Sequence, residues 1–517
     1  TGSVASAADV QPVFSTSVGN FNSQGGTDTT TTTTTKNVSF KLKTISHGSL
    51  QNSVHQGGVN ITGSNSILLS GSQHNLRYEI SSVNKNKGTF TLLIRAGNDS
   101  IKRKQILETW NNLSLDPRAN NYIEKIIGNQ VNTLRGSGTT DPYLQLSGSY
   151  PNKSKYVYVQ DVLQTPNYLD ENGNIRLTSQ TSSLPVVGSG SNAGGFDYGS
   201  DGYVGFDSFG NQQGGDGGKV QLYKDIDGAD TQGYILNQTN KGQTAYEDAL
   251  NLLSNQDFYD INLLMLPGVI SSETNHSAIA QKALDVAEDR GDCFVLLDPV
   301  VYGSAITTAT SEAENRDSNY AAMYWPWVQI SDPQLGGTLR YVPPSVVIPG
   351  VIAFNDKVSH EWFAPAGLNR GGLDSVIQAE RKLTQANRDT LYESNVNPIA
   401  TFPGQGVTVF GQKTLQKKSS ALDRINVRRL LIRLKKFIAS SSRFLVFEQN
   451  TNATRARFLA IVNPFLEQVQ SNSGLFAFKV VMDDTNNTPD VVDRNILYGQ
   501  IFVQPTRTAE FIVLDFT

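Results

Sequence analysis

Five histidines, one cysteine and forty-seven carboxylates are the groups with which this 517-residue chain could do chemistry, and their spacing offers little. His47, His55, His74, His276 and His360 are scattered, with no pair placed to hold a zinc ion from one helix face. Cys293 sits in the apolar run CFVLLDPV, which predicts a buried strand, so a small core residue is expected rather than a reactive thiol. A single cysteine also forbids an internal disulfide framework. Asp170-Glu-Asn-Gly-Asn174 opens like a calcium loop, but Ile175 stands where glycine is required and Thr181 where the closing glutamate would be. Asp225-Ile-Asp-Gly-Ala-Asp230 fits a turn at a domain start better than a cation site. The glycine-rich stretch 188–218 contains neither GxxxxGK[ST] nor GxGxxG set between strand and helix, and the chain has no GxSxG elbow. Asp483-Asp484 has the composition of a turn. No catalytic residue, metal or cofactor is expected, although a hydrolase assembled from carboxylates distant in sequence stays open.

One segment is chemically distinct. Residues 423–439, DRINVRRLLIRLKKFIA, carry six cations, Arg424, Arg428, Arg429, Arg433, Lys435 and Lys436, on a chain of net charge −4. Helical projection places Val427, Leu430, Leu431, Leu434, Phe437 and Ile438 within about 120°, with Arg428, Arg429, Arg433, Lys435 and Lys436 opposite. The apolar arc is expected to dock on a core and the basic arc to stay free for a partner. Nucleic acid or another anionic surface is one reading of such an arc. The acidic remainder of the chain and the lack of interleaved aromatics weigh against it. No apolar run approaches the ~18 residues that span a bilayer.

The elements that would position these groups divide the chain. Its length predicts roughly two to four domains, and 45 glycines, 19 prolines and 17% charged residues point to a strand-rich or mixed protein. Residues 1–40 are rich in Ser, Gly and Thr and read as irregular. SFKLKTI, NLRYEISSV and GTFTLLIRAG alternate as half-buried antiparallel strands do. In QILETWNNLSLDPRANNYIEKIIGN, the spacing of Ile106, Leu107 and Trp110 predicts a helix, and Asp116-Pro117 a second helix through Ile127. Strands are expected near 154–163, and the stretch 188–218 is the best domain boundary. Beyond it TAYEDALNLLSN (helix), INLLMLPGV (strand), HSAIAQKALDVAEDR (helix) and CFVLLDPV (strand) form a βαβ unit with parallel pairing. A helix is expected over 372–393 and another around 455–470, with strands at 475–482, 496–504 and 509–516. NPIATFPGQGVTVFGQKTL has the alternation of a hairpin about Gly404 and Gly406. From Pro403 to Thr517 fifteen basic residues face nine acidic ones, so the first 402 residues carry the compensating acidity.

Several segments occur in a telling order. Pro267-Gly268 follows an apolar strand. Then come LLDPV, SNYAAMYWPWV, VPPSVVIPG, APAGLNRG, NPIATFPGQGVTVFGQKTL, DRINVRRLLIRLKKFI, RFLVFEQNTNATRARF, DDTNNTPDVVDRN and IFVQPTRTAEFIVLDF. From about Gly218 to Thr517 this set closely resembles the contractile tail sheath proteins of myovirus-type bacteriophages, and ILETWNNLSLDPRANNYI extends the resemblance weakly. The resemblance implies an α/β and α+β multidomain architecture. Residues 1–215 would form a β-rich outer protruding region, 216–396 a central α/β domain, and 397–517 an α+β inner domain facing the tail tube. It implies a structural subunit of the virion, assembled in the host cytoplasm, that stacks as six-membered rings and contracts to drive the tube through the host envelope. The implied partners are further copies of the chain, the tail tube protein, and the baseplate and tail terminator proteins, without nucleic acid or membrane insertion. The basic arc, with Arg424, would then face an acidic tube. Phe511, Ile512, Val513, Leu514, Asp515 and Phe516 would add a strand to a neighbour's sheet, a strand in their own domain's sheet being the alternative. The PGV- or PGI-type opening of the family is missing, and the chain begins TGSVASAADV. The resemblance therefore implies a trimmed chain that lacks one of two linking arms and can remain monomeric.

Overall fold

The computed structural model describes residues 7–10, 39–45, 76–100, 102–162, 184–185, 187, 193–195, 242–274, 276–332 and 337–510. These fall into two compact units, one up to Asp248 and one from Ala249 onward.

In the first unit the alternating segments form antiparallel sheets, as their two-residue period requires. Strands β1 (Ala7–Val10), β2 (Phe40–Thr44) and β8 (Val157–Val162) make a sheet ordered β1-β2-β8. Strands β3 (Leu76–Asn84), β4 (Thr89–Ala96), β5 (Ile106–Ser114) and β9 (Ala193–Gly195) make another, ordered β5-β4-β3-β9. β6 (Val131–Arg135) and β7 (Tyr143–Ser147) form a separate ribbon. Phe40, Leu42, Tyr78, Ile80, Phe90, Leu92, Ile123 and Ile127 share one core, with Phe40 and Phe90 stacked at 5.5 Å. Among the described residues, four buried charges of this unit, Arg77, Glu79, Arg95 and Asp99, form one ion-pair cluster. Arg95 donates to Asp99 from Nε (2.6 Å) and Nη2 (2.8 Å) and pairs with Glu79. Arg77 also reaches Asp99.

Two helix expectations fail here. Residues 106–114 form strand β5, in register with β4 through Leu92↔Trp110 and Thr89↔Ser114. Ile106, Leu107 and Trp110 do have helical spacing, but Ile106 and Leu107 are exposed, and the hydrogen-bonding edge of β4 decides the conformation. Asp116-Pro117 lies in a turn, where Asp116 Oδ1 accepts the Arg118 N–H at 3.0 Å. The helix that follows, α1, is only Ile123–Ile127.

Helix α2 (Gly242–Leu253) carries the boundary between the units. The second unit contains the expected parallel unit: β10 (Leu263–Ile270), α3 (Ser277–Arg290) and β11 (Phe294–Asp298), with β10 and β11 parallel. Helix α4 (Ile306–Glu314) leads to β12 (Ala321–Trp325), which joins in parallel. β16 (Val396–Phe402) extends the parallel run and turns back as β17 (Gly406–Val409), giving a mixed sheet ordered β10-β11-β12-β16-β17. β11 and β12 are buried along their whole length, which explains their unbroken apolar sequences.

A second sheet, β14-β13-β15, packs beside it, made of β13 (Val328–Asp332), β14 (Thr338–Val342) and β15 (Val376–Ala379). Helix α5 (Ile348–Val358) follows VPPSVVIPG. The helix expected over 372–393 is corrected: residues 376–379 pair with β13. Helix α6 begins only at Gln385 and runs to Glu393, capped by Thr384 Oγ1 accepting the Asn387 N–H at 3.3 Å. In APAGLNRG, Gly371 must be glycine, because a Cβ there would lie 2.7 Å from the Val409 carbonyl oxygen. The chain ends in helices α7 (Ile425–Ser442) and α8 (Asn452–Ser471), strand β18 (Leu475–Val481), short α9 (Pro489–Asp493) and strand β19 (Gln500–Pro505), which pairs with β18.

Candidate interaction surface around the basic helix

Helix α7 is the basic segment, and it is wedged between two cores. Leu430 and Leu434 pack against Phe458, Val462, Leu466 and Val469 of α8, with Leu431 and Ile438 at the margin. Phe437 stacks on Phe465 at 3.7 Å. That is the docking face expected from the sequence. The opposite face is also packed, since Ile425 and Ile432 join the core built on the β10–β17 sheet. Two isoleucines one heptad apart within the basic arc are the signal that the sequence reading passed over.

The expectation of a free basic arc is therefore corrected. Arg428 is 4% exposed and Arg429 7% exposed. Arg428 lies over the Tyr320 ring at 4.1 Å and donates to Asn319 Oδ1 at 2.5 Å; burial pulls its guanidinium pKa down. Arg429 forms a two-pronged pair with Asp356 of α5, at 2.8 Å to Oδ1 and 2.5 Å to Oδ2. Lys436 Nζ sits 2.6 Å from each of Asp260 Oδ1, Ile261 O and Asn262 Oδ1, fastening the segment that leads into β10. Arg424 pairs with Glu510 at 2.7 Å and Asp423 at 3.0 Å. A buried guanidinium without such partners would be strongly destabilising, so these four cations are structural. Arg433 and Lys435 are the exceptions. Arg433 is half exposed and only 3.9 Å from Glu361, while Lys435 is exposed with a 3.5 Å contact to the Tyr320 hydroxyl. On a helix they project about 160° apart, so they emerge on opposite flanks rather than on one basic face.

Among the described residues, the other candidate groups serve packing and turns. His276 Nδ1 accepts the Ile270 N–H at 2.9 Å, and burial pulls its pKa down to about 4. Burial pushes the Cys293 thiol up to about 11. Asp483 is a turn residue, accepting the Thr485 N–H at 2.9 Å, and Asp484 pairs with Arg455 at 2.5 Å. Asp298, fully buried, accepts from Ser345 N at 3.0 Å and Ser345 Oγ at 2.5 Å, and burial raises its carboxyl to about 7. No group of three or more His, Cys, Asp or Glu side chains that could hold a metal ion occurs among the described residues. His47, His55, His74, the Asp170 and Asp225 segments, the stretch 188–218 apart from 193–195, and Phe511–Phe516 lie outside the described residues.

Comparison with known proteins gives this architecture a family. The sheath protein of Vibrio phage KVP40 is 32% identical over 300 residues, covering 54% of this chain and 45% of that protein. The sheath protein of Enterobacteria phage T4 is 32% identical over 287 residues, covering 52% of this chain and 43% of that protein. The matched region thus spans under half the length of these relatives. Among solved structures, a sheath tail protein from Listeria innocua aligns over 86% of this chain and 73% of its own, at 10% identity and a TM-score of 0.44. The profile of the phage tail sheath protein central domain matches residues 242–415, and that of the phage tail sheath C-terminal domain matches residues 417–517. The chain belongs to the phage tail sheath family, a structural and not an enzymatic one.

Proposed function

We propose that this chain is a subunit of a contractile phage tail sheath, a virion component that stacks in rings, six subunits to a ring, around a tail tube and shortens to drive that tube through the host envelope. The observation that carries the reading is the pair of sheath-domain matches running from residue 242 to the C-terminus. In this reading residues 1–215 protrude outward, 216–396 form the central body, and 397–517 face the tube, with the baseplate and tail terminator proteins as end partners.

The tube contact is narrower than the sequence implied. Four of the six cations are committed within the chain, leaving Arg433 and Lys435 on the two flanks of α7. Exposed ion pairs are worth about 0–1 kcal/mol each and are screened by salt, which suits a contact that must release when the sheath widens. Lateral linkage falls to the β18–β19 ribbon. Both of its outer edges are unpaired among the described residues, and Phe511–Phe516 of a neighbour is the strand proposed to add there.

The test is assembly with the cognate tail tube. Charge reversal of Arg433 and of Lys435, singly and together, should leave the fold intact and weaken tube-templated polymerisation, with the difference from the parent largest at low salt and shrinking as salt rises. Polymerisation as efficient as the parent's in the double variant would remove α7 from the tube contact. Failure of the parent chain, supplied with any residues that precede Thr1, to form hollow polymers by electron microscopy would remove the sheath reading itself.

A further inference from the structure

The chain does not run free after β19. Thr506 Oγ1 donates to the Ser473 carbonyl at 2.6 Å, and its N–H to the Gly474 carbonyl at 3.2 Å. Two residues on, Gln412 Nε2 donates to Thr508 Oγ1 at 2.5 Å. At Glu510 the carboxylate enters a receptor made by three side chains distant in sequence. Arg424 Nε (2.7 Å) and Gln412 Nε2 (3.0 Å) donate to Oε1, and the Tyr392 hydroxyl donates to Oε2 at 2.7 Å. Gln412 is buried, and Lys413 Nζ stands 4.7 Å from the Tyr392 ring centroid, adding positive charge nearby.

What lies under this segment is as informative as its anchors. A cavity of about 430 Å³ is lined by Ser420, Asn426, Arg507, Thr508 and Glu510, among others. The five residues Thr506–Glu510 include no large apolar side chain, so apolar burial contributes little to holding them down. Polar anchors at the two ends do so instead, and the strongest is the charged one at Glu510. Tyr392 and Gln412 fall within the stretch matched by the central-domain profile, while Glu510 falls within the C-terminal one.

We propose that Thr506–Glu510 is a strap that ties the end of β19 to the central domain, and that Glu510, seated between Arg424, Gln412 and Tyr392, is the residue that fastens it. The strap sets the point from which everything beyond Glu510 departs, at the central domain rather than at the end of the β18–β19 ribbon. This follows from contacts within one chain and does not depend on the sheath reading.

Arg507, exposed in the middle of the strap, supplies the readout. Trypsin cleavage after Arg507 is followed by mass spectrometry on the full chain and normalised to cleavage after Arg494, an exposed arginine immediately after α9 and outside the strap. Glu510→Ala is expected to raise the Arg507 rate about tenfold, the effect of losing charge-assisted hydrogen bonds on a local opening equilibrium, with the Arg494 rate unchanged. Tyr392→Phe, which removes one anchor and keeps the ring, should give a smaller rise of about threefold at the same bond. An Arg507 rate unchanged in both variants overturns the strap. So does a rise that Arg494 shares equally in both, because the change would then be general unfolding.

Discussion

The guanidinium of Arg428 lies 4.1 Å from the centroid of the Tyr320 ring, facing it, while its Nη2 donates to Asn319 on the same turn. A cation that looked like a partner-binding charge is thus sealed between α7 and the end of strand β12, where the aromatic face and one amide oxygen replace its water. Arg428→Ala should cost about 2–4 kcal/mol, combining a lost cation–π contact with a cavity. Arg433→Ala, five residues along and half exposed, should stay within about 0.5 kcal/mol of the parent. Urea unfolding monitored by tryptophan fluorescence separates the two, and equal effects would contradict the burial described here.

Arg429 and Asp356 form the second internal tie of the basic helix. A double-mutant cycle across the pair should give a coupling energy of about 1–3 kcal/mol, because one partner is buried and the geometry is two-pronged. The same cycle on Arg494 and Asp490, an exposed pair at the C-terminal end of α9 with 68% and 71% side-chain exposure, should give under about 0.5 kcal/mol.

Asp298 gives the central domain a pH signature. Its usual pKa of 3.8 is raised to about 7 in the fold by burial, against the opposing donation from Ser345. Between these values the unfolded chain has released the proton that the folded chain keeps, so this group lowers stability as pH rises from about 4 to about 7. His276, pulled from 6.5 to about 4, contributes the reverse slope below 6.5. The stability of Asp298→Asn relative to the parent should therefore climb across pH 4 to 7 and level off above it. A pH-independent difference in unfolding free energy would show that Asp298 titrates normally in the fold.

Helix α7 should respond on both faces independently. Ile432→Ala opens the core beneath the β10–β17 sheet, and Leu434→Ala opens the α7–α8 core. Each should cost about 2–5 kcal/mol. Because the two side chains belong to separate clusters, the double variant should show the sum within about 0.5 kcal/mol. A strongly non-additive result in denaturant unfolding would mean that the two cores are one.

Much of the second unit was legible in the chain itself. Unbroken apolar runs such as Phe294–Asp298 identified parallel buried strands, because only a strand covered on both faces can be apolar throughout. The glycines at 404 and 406 marked the β16–β17 hairpin, and the order of the sheath segments carried the family. The errors came where local spacing and long-range pairing disagreed. Ile106, Leu107 and Trp110 have helical spacing, yet β4 offered an open edge and took them as a strand. Residues 376–379 were likewise claimed by β13.

The six cations of residues 423–439 show the same division most clearly. The sequence by itself determined that this segment is an amphipathic helix, since the 3.6-residue period is a local property. It also determined that one face would be apolar and docked. It could not determine which cations remain outside, because the partners lie far along the chain: Asp260, Asn319, Tyr320, Asp356 and Glu510. Only the tertiary structure brings those groups to α7, and desolvation then makes the outcome unequal. Arginines pressed against the core by Ile425 and Ile432 must be paired to be tolerated, whereas Arg433 and Lys435, turned to the flanks, keep their water.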